Sequence, residues 1–240
     1  FVQRIKSSDS QGVANVLWAL AKVSWYEEGA VGMLAGAAVE RVSSSVTQNL
    51  SNNLWSLSTL GWYERGVYDE LLHGIVKSPE QPVPQQLSNA ILSCAMACHT
   101  GAAVYALAGK VSKQSLSGWD SQAVSNTLYA WAVLSLLGKA SPELNAMASA
   151  LFSEANSRGP FSSKVQEITQ LYTAHMEAER VGLQGGGLET ANGLQQAAAK
   201  EHKRSLAGLR KVKKQAGNSE ALDQAVAALQ QAGYGVDLGA

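Results

Sequence analysis

The stretch from Val46 to Trp62, VTQNLSNNLWSLSTLGW, decides how the chain is read. Gln48 is followed four residues on by Asn52, and Leu50, Leu54, Leu57 and Leu60 then recur at helical spacing. The same pattern opens at Gln11, Gln85 and Gln122, so Asn15, Asn52, Asn89 and Asn126 form one column and Leu17, Leu54, Ile91 and Leu128 another. Successive copies stand 37 residues apart with no gap. A period of roughly 20 to 50 residues signals a solenoid, whose units cannot bury their own apolar faces and must stack on neighbours. The expectation is an all-α, helical-repeat solenoid of helix-turn-helix units whose function lies on a surface rather than in a pocket.

Composition narrows the partners. Lys and Arg number 19 and Asp and Glu number 19 in 240 residues, so no global field draws a polyanion or a membrane surface, and any such contact must be local. Two cysteines, Cys94 and Cys98, are too few for a disulfide scaffold and suit a reducing compartment. No apolar run approaches the roughly 20 residues that cross a bilayer, and no membrane partner is expected. The chain opens at Phe1 without a methionine and reads as part of a longer polypeptide, with any targeting peptide upstream.

In the first unit, Val13, Leu17, Leu20 and Val23 predict a helix over 11–23, with a break at Trp25 to Gly29 and a second helix over 30–42. Unit two repeats this with a turn at Gly61 to Gly66 and a second helix over 67–77; Pro79, Pro82 and Pro84 then separate it from unit three, 85–114. Unit four opens after Asp120 with Val124, Leu128, Trp131 and Leu134, and Pro142 suits the first turn of its second helix. A degenerate fifth segment, 163–178, follows Gly159 and Pro160 and serves as a cap. The solenoid is thus expected over 1–180, a glycine-rich flexible linker over 181–187, and a basic helical tail over 188–240, with a last short helix from Asn218 or Ser219 to Gly233.

The unit LSNNLWSLSTLGWYERGVYDELL resembles the octotricopeptide repeat of green-algal organellar proteins, which is related to the FAST-kinase-domain proteins. The residues that carry the likeness are Leu50 to Asn52, Leu54-Trp55 and Leu60-Gly61, over roughly residues 10 to 180. The resemblance implies action in mitochondria or chloroplasts, where family members bind RNA to stabilise, process, splice or translate transcripts, and some belong to organellar ribosomes. Many end in a RAP domain, and LDQAVAALQQAGYGVDLGA looks like the segment leading into one, whose body is absent.

No catalytic constellation is found. Cys94 and Cys98 lie a helical turn apart beside His99, but Cys94 falls in the column of Leu20, Leu57 and Trp131 and Cys98 in that of Ser24, Gly61 and Ser135, so packing is the reading rather than a metal site. Gly109-Lys110 lacks the other elements of a phosphate loop, and the acids are scattered. A non-enzyme is expected, with no cofactor, metal or small-molecule substrate.

Contact with RNA has several candidates. Asparagine kept in four units cannot discriminate bases and reads as a structural ladder bonding the next unit. The column Gly12, Asn49, Gln86 and Ala123 varies, making Asn49 and Gln86 candidate RNA contacts; a second varying column is Lys22, Thr59, Met96 and Val133. Trp25-Tyr26 and Trp62-Tyr63 at the turns read as wedges, with base stacking the alternative. Trp18, Trp55, Tyr129 and Tyr172 read as packing. The segment Lys200 to Lys214 holds Lys200, Lys203, Arg204, Arg210, Lys211, Lys213 and Lys214 against Glu201 alone, so it is either a solvated helix or a phosphate-docking one.

Three functional expectations follow. The favoured one is a scaffold in an organellar ribonucleoprotein, such as the mitochondrial ribosome, that clasps rRNA and meets other ribonucleoprotein proteins. The second is a transcript-specific factor acting on messenger or intron RNA, with the chloroplast as alternative compartment. The third is a protein-only adaptor.

Overall fold

The computed structural model describes residues 5, 7–158, 164–189, 196 and 200. Among these described residues there are nine α-helices and no strand: α1 (Ser10–Lys22), α2 (Glu28–Glu40), α3 (Thr47–Thr59), α4 (Arg65–Lys77), α5 (Pro84–Met96), α6 (Ala102–Ser112), α7 (Ser121–Leu136), α8 (Pro142–Ser157) and α9 (Val165–Val181). A 3-10 turn at Val42–Ser44 follows α2. The odd-numbered helices open successive units and pack side by side; the even-numbered ones form a second layer against them. The protein is an all-α solenoid.

Local chemistry sets the boundaries. Asp9 caps α1 by accepting from the Gly12 N–H at 2.7 Å, and Asp120 caps α7 in the same way from Ala123 at 2.7 Å. Pro142 and Pro84 occupy first-turn positions, so Pro84 begins α5 rather than belonging to the separator. Each first helix ends in a residue at positive φ, Ser24, Gly61, Cys98, Gly138 and Gly182, and the next N–H reaches back to close the last turn. Those closing bonds run from Trp25 to Leu20, Trp62 to Leu57, His99 to Cys94, Lys139 to Leu134 and Leu183 to Ala178. In unit four α7 runs to Leu136, so the left-handed residue is Gly138, and Ser135, expected in that column, is buried within the helix. The longer α7 helps explain why the fifth unit lags the period.

Leu17, Leu54, Ile91, Leu128 and Leu171 form a continuous fully buried spine between the layers. Trp131 adds an edge-on contact to Phe152, with centroids 6.2 Å apart, and donates to Asn145 Oδ1 at 3.0 Å. Neighbouring first helices meet through small polar residues: Ser51, Ser56, Ser88, Ser93, Ser125 and Thr127 are all buried. Their hydroxyls bond carbonyls of their own helix, as Ser56 to Asn52, Ser93 to Asn89 and Thr127 to Ala123, each at 2.7 Å. A hydroxyl satisfied by its own backbone lets two helices approach closely without an orphaned polar group.

Two arginines brace the second layer in equivalent ways. Arg41 donates to the carbonyls of Ser8 and Ile5, and Arg158 to those of Trp119 and Leu116. Beyond α9 the structure departs from the expected flexible linker. Ser149 Oγ donates to the Gln184 carbonyl at 2.7 Å, Asn156 Nδ2 to that of Gly187 at 3.0 Å, and the Glu189 N–H to Asn156 Oδ1 at 3.0 Å. Leu188 is buried. Residues 182–189 therefore form a strap across α8 and α9, because glycines in left-handed conformations fold the chain back onto the last unit.

Candidate functional site

Each of α3, α5 and α7 contacts the second layer and a first helix on either side, which leaves one narrow stripe open among the described residues, and α1 carries the same stripe. The stripe consists of Gln11, Asn15, Trp18 and Lys22 in α1, Gln48, Asn52, Trp55 and Thr59 in α3, Gln85, Asn89, Leu92 and Met96 in α5, and Gln122, Asn126, Tyr129 and Val133 in α7. Spacings of four, three and four put these residues on one helical face. The four glutamines are all exposed, and exposure then declines along the array at the asparagines, from exposed Asn15 to buried Asn126.

The aromatic column is open as well. Trp18 is 45% exposed and Trp55, Leu92 and Tyr129 are half-buried. The expectation that Trp18 and Trp55 are packing residues is corrected: the buried member of each Leu-aromatic pair is the leucine. Lys22 Nζ lies 5.5 Å from the Trp18 ring and 5.9 Å from the Trp55 ring, so one cation joins two units. It is the single formally charged side chain in the stripe across α1, α3, α5 and α7. Towards units three and four the last column becomes apolar, ending in Met96, 49% exposed, and half-buried Val133.

The candidate RNA contacts Asn49 and Gln86 sit elsewhere and need correction. Asn49 is buried to 9% exposure and its Nδ2 donates to Ser10 Oγ of the preceding unit at 3.3 Å. Gln86 Oε1 accepts from Thr47 Oγ1 of the preceding unit at 2.7 Å and from the Val83 N–H at 3.1 Å. Both amides are committed to the seam between first helices, so variation there follows the neighbouring unit. The asparagine ladder is realised at one described rung, where Gln170 Nε2 donates to Asn126 Oδ1 at 3.0 Å.

At the turns, Trp25, Tyr26 and Tyr63 are all exposed, and Tyr63 also reaches the buried pair Tyr68 and His99. The Tyr63 hydroxyl lies 3.2 Å from His99 Nδ1, and Tyr68 packs 5.4 Å from the same ring. His99 Nε2 is 3.3 Å from Asp69 Oδ1 but out of line for a hydrogen bond. Burial pushes the His99 pKa below its ordinary value more than Asp69 raises it. Burial also pushes the Cys94 thiol far up, which leaves it inert. No group of three or more potential metal ligands occurs among the described residues.

A groove of about 720 Å³ opens on the second layer between α2, α4 and α6, bounded by Gly32, Gly36, Arg65, Asp69, Glu70 and His73. Its wall mixes signs and small side chains and assembles no nucleophile and base. Of the basic segment, Lys200 is helical and exposed, while Lys203, Arg204, Arg210, Lys211, Lys213 and Lys214 lie outside the described residues.

No family model matches the chain, and no curated protein matches it. The class is defined by the fold alone: a helix-pair α-solenoid with one open, nearly uncharged amide and aromatic stripe.

Proposed function

We propose that the chain is a helical-repeat RNA-binding scaffold of an organellar ribonucleoprotein, of the mitochondrial-ribosome kind, that holds a segment of rRNA and meets neighbouring proteins. The observation that carries this reading is the stripe through Trp18, Lys22 and Trp55: an exposed and a half-buried indole in successive units with a cation between them. Aromatic faces accept any base, a cation on a stem meets phosphate, and the glutamine and asparagine columns supply donors and acceptors along one line. The basic residues from Lys200 to Lys214 add sequence-independent phosphate affinity. The resemblance to octotricopeptide repeats points to the same activity.

Scaffolding is favoured over transcript reading because the polar columns of the stripe, glutamine and asparagine, are the same residue in four units, whereas its variable columns are largely aromatic or apolar. A reader of sequence needs the opposite arrangement. The apolar turn of the stripe at Leu92, Met96 and Val133 supports a protein neighbour over units three and four.

The test is crosslinking and sequencing of RNA bound to the full-length protein in native extract, with ribosome sedimentation in parallel. One discrete rRNA site with co-sedimentation is expected. Enrichment of a single messenger or intron in a non-ribosomal fraction would replace the scaffold with a transcript-specific factor, and absence of specific RNA would leave a protein adaptor.

A further inference from the structure

The two ends of the array are built differently. At the far end, the strap closes α9: Leu188 is buried and its N–H donates to His175 Nδ1 at 3.1 Å. At the near end, the corresponding business is unfinished. The positions of a first helix that meet the preceding unit are fixed by contacts: Asn49 bonds Ser10, and Gln170 bonds Asn126. One and two turns further along α3, α5 and α7 the same face holds Asn53 and Ser56, Ala90 and Ser93, and Thr127 and Ala130, all buried at 1% exposure or less.

In α1 this face is Gly12, Val16, Ala19 and Val23, and no helix among the described residues covers it. Val16 is 37% and Val23 71% exposed, and Ala19 is also exposed. These are small or β-branched apolar residues in columns that are closed by a helix in each later unit. A solvated helix face carries charge; a stacking face carries what is found here.

The residues leading into α1 say what stacks there. Val2-Gln3-Arg4-Ile5-Lys6-Ser7-Ser8 repeats Val39-Glu40-Arg41-Val42-Ser43-Ser44-Ser45 at an offset of 37 residues, with valine, arginine and two serines identical and Ile5 in place of Val42. Residues 39–45 are the end of a second helix and its exit turn, whose Val42 packs partly buried against the core, and Ile5 at the matching position is buried. The sequence ahead of α1 is thus in the register of a second helix.

We propose that the Gly12-Val16-Ala19-Val23 face of α1 seats the first helix of a further repeat unit, carried by the same polypeptide immediately ahead of the residues described. The seated helix presents small or hydroxylated residues to α1, as Thr47, Ser51 and Ser58 of α3 present to α5. The inference stands on packing and register and holds whether or not the array binds RNA.

The test is thiol accessibility in the purified full-length protein carrying Val16→Cys, a substitution small enough to leave the fold intact. Maleimide modification is followed peptide by peptide, with exposed Cys98 as the internal fast reference and buried Cys94 as the slow one. The introduced thiol is expected to react roughly tenfold or more slowly than Cys98, at every protein concentration. Reaction as fast as Cys98 would overturn the proposal, because the face would be open to water. Protection that vanishes on dilution would also overturn it, because a second copy would then be the occupant.

Discussion

The ammonium of Lys22 lies 5.9 Å from the centre of the Trp55 ring in the next unit, on a side of the array that no other described element covers. Because Lys22 also sits over Trp18, the cation acts as a staple across the first seam of the stripe. A double-mutant cycle with Lys22→Met and Trp55→Leu should give a coupling of about 0.5 to 1 kcal/mol in chemical denaturation. Strict additivity of the two single changes would show that the pair is a coincidence of proximity.

Asn52 and Asn126 share a column, but their removal should not cost the same. Asn126 is buried and accepts from Gln170, whose own Oε1 already lacks a partner. Asn126→Ala would leave the Gln170 amide nitrogen unmet as well, a loss of about 1 to 3 kcal/mol. Asn52 is half-exposed, and Asn52→Ala should stay within about 0.5 kcal/mol of the parent. Equal losses in urea melts would contradict this assignment.

The left-handed turn after each first helix gives a test of opposite sign at two sites. Cys98 holds φ 51° where unit two uses Gly61 at φ 72°. Cys98→Gly should therefore stabilise by about 0.5 to 1 kcal/mol, and Gly61→Ala should destabilise by about 1 kcal/mol or more. A lower melting temperature for Cys98→Gly would mean that the thiol makes a contact that outweighs the backbone strain.

The period and the core were legible from the sequence because Leu17, Leu54, Ile91 and Leu128 combine identity of type with helical spacing, and burial on the second layer demands large apolar side chains. The seams between first helices were not. They are lined by Ser56, Ser93 and Thr127, which hydropathy reads as surface although each hydroxyl is satisfied by its own helix and the residue is buried. For the same reason Asn49 and Gln86 looked like free amides, and Trp18, an aromatic beside a core leucine, looked like core. The signal that separates them is present in the numbering: Gln48, Asn52, Trp55 and Thr59 follow one face, and Asn49, Asn53 and Ser56 follow the next. Periodicity shows that two faces exist; deciding which one meets a neighbour requires the direction in which units stack.

Gly74 marks a tight approach between the second layer and the first helices. A Cβ there would lie 2.7 Å from Val42 Cγ1 and 2.8 Å from Leu50 Cδ1. Replacing a mid-helix glycine by alanine ordinarily gains about 0.5 to 1 kcal/mol, but overpacking a buried contact costs about 1 to 3 kcal/mol. Leu50 is itself buried and has little room to yield, so Gly74→Ala should lower stability by about 1 kcal/mol. A stabilised variant would show that Val42 and Leu50 swing aside freely.

The strap that closes the last unit should loosen in acid. Leu188 donates to His175 Nδ1, an acceptor that exists only while that nitrogen is unprotonated. Burial lowers the His175 pKa below its ordinary value, with Glu179, whose carboxylate is 3.5 Å from Nε2, pulling the other way. The folded state thus binds fewer protons than the unfolded chain, so the stabilisation is present above the unfolded value of about 6.5 and is lost as pH falls through the lower folded value. Burial depresses His99 in the same direction, so overall stability should also decline on acidification, by at most about 1.4 kcal/mol per pH unit for each proton taken up. The local measurement is hydrogen exchange at the Leu188 amide, corrected for intrinsic rate: protection should fall between about pH 7 and pH 5. His175→Asn keeps an acceptor near the same place without a titrating ring and should flatten that dependence. Protection of Leu188 that is unchanged by acid in the parent chain would show that the strap is held by Asn156 and Ser149 alone.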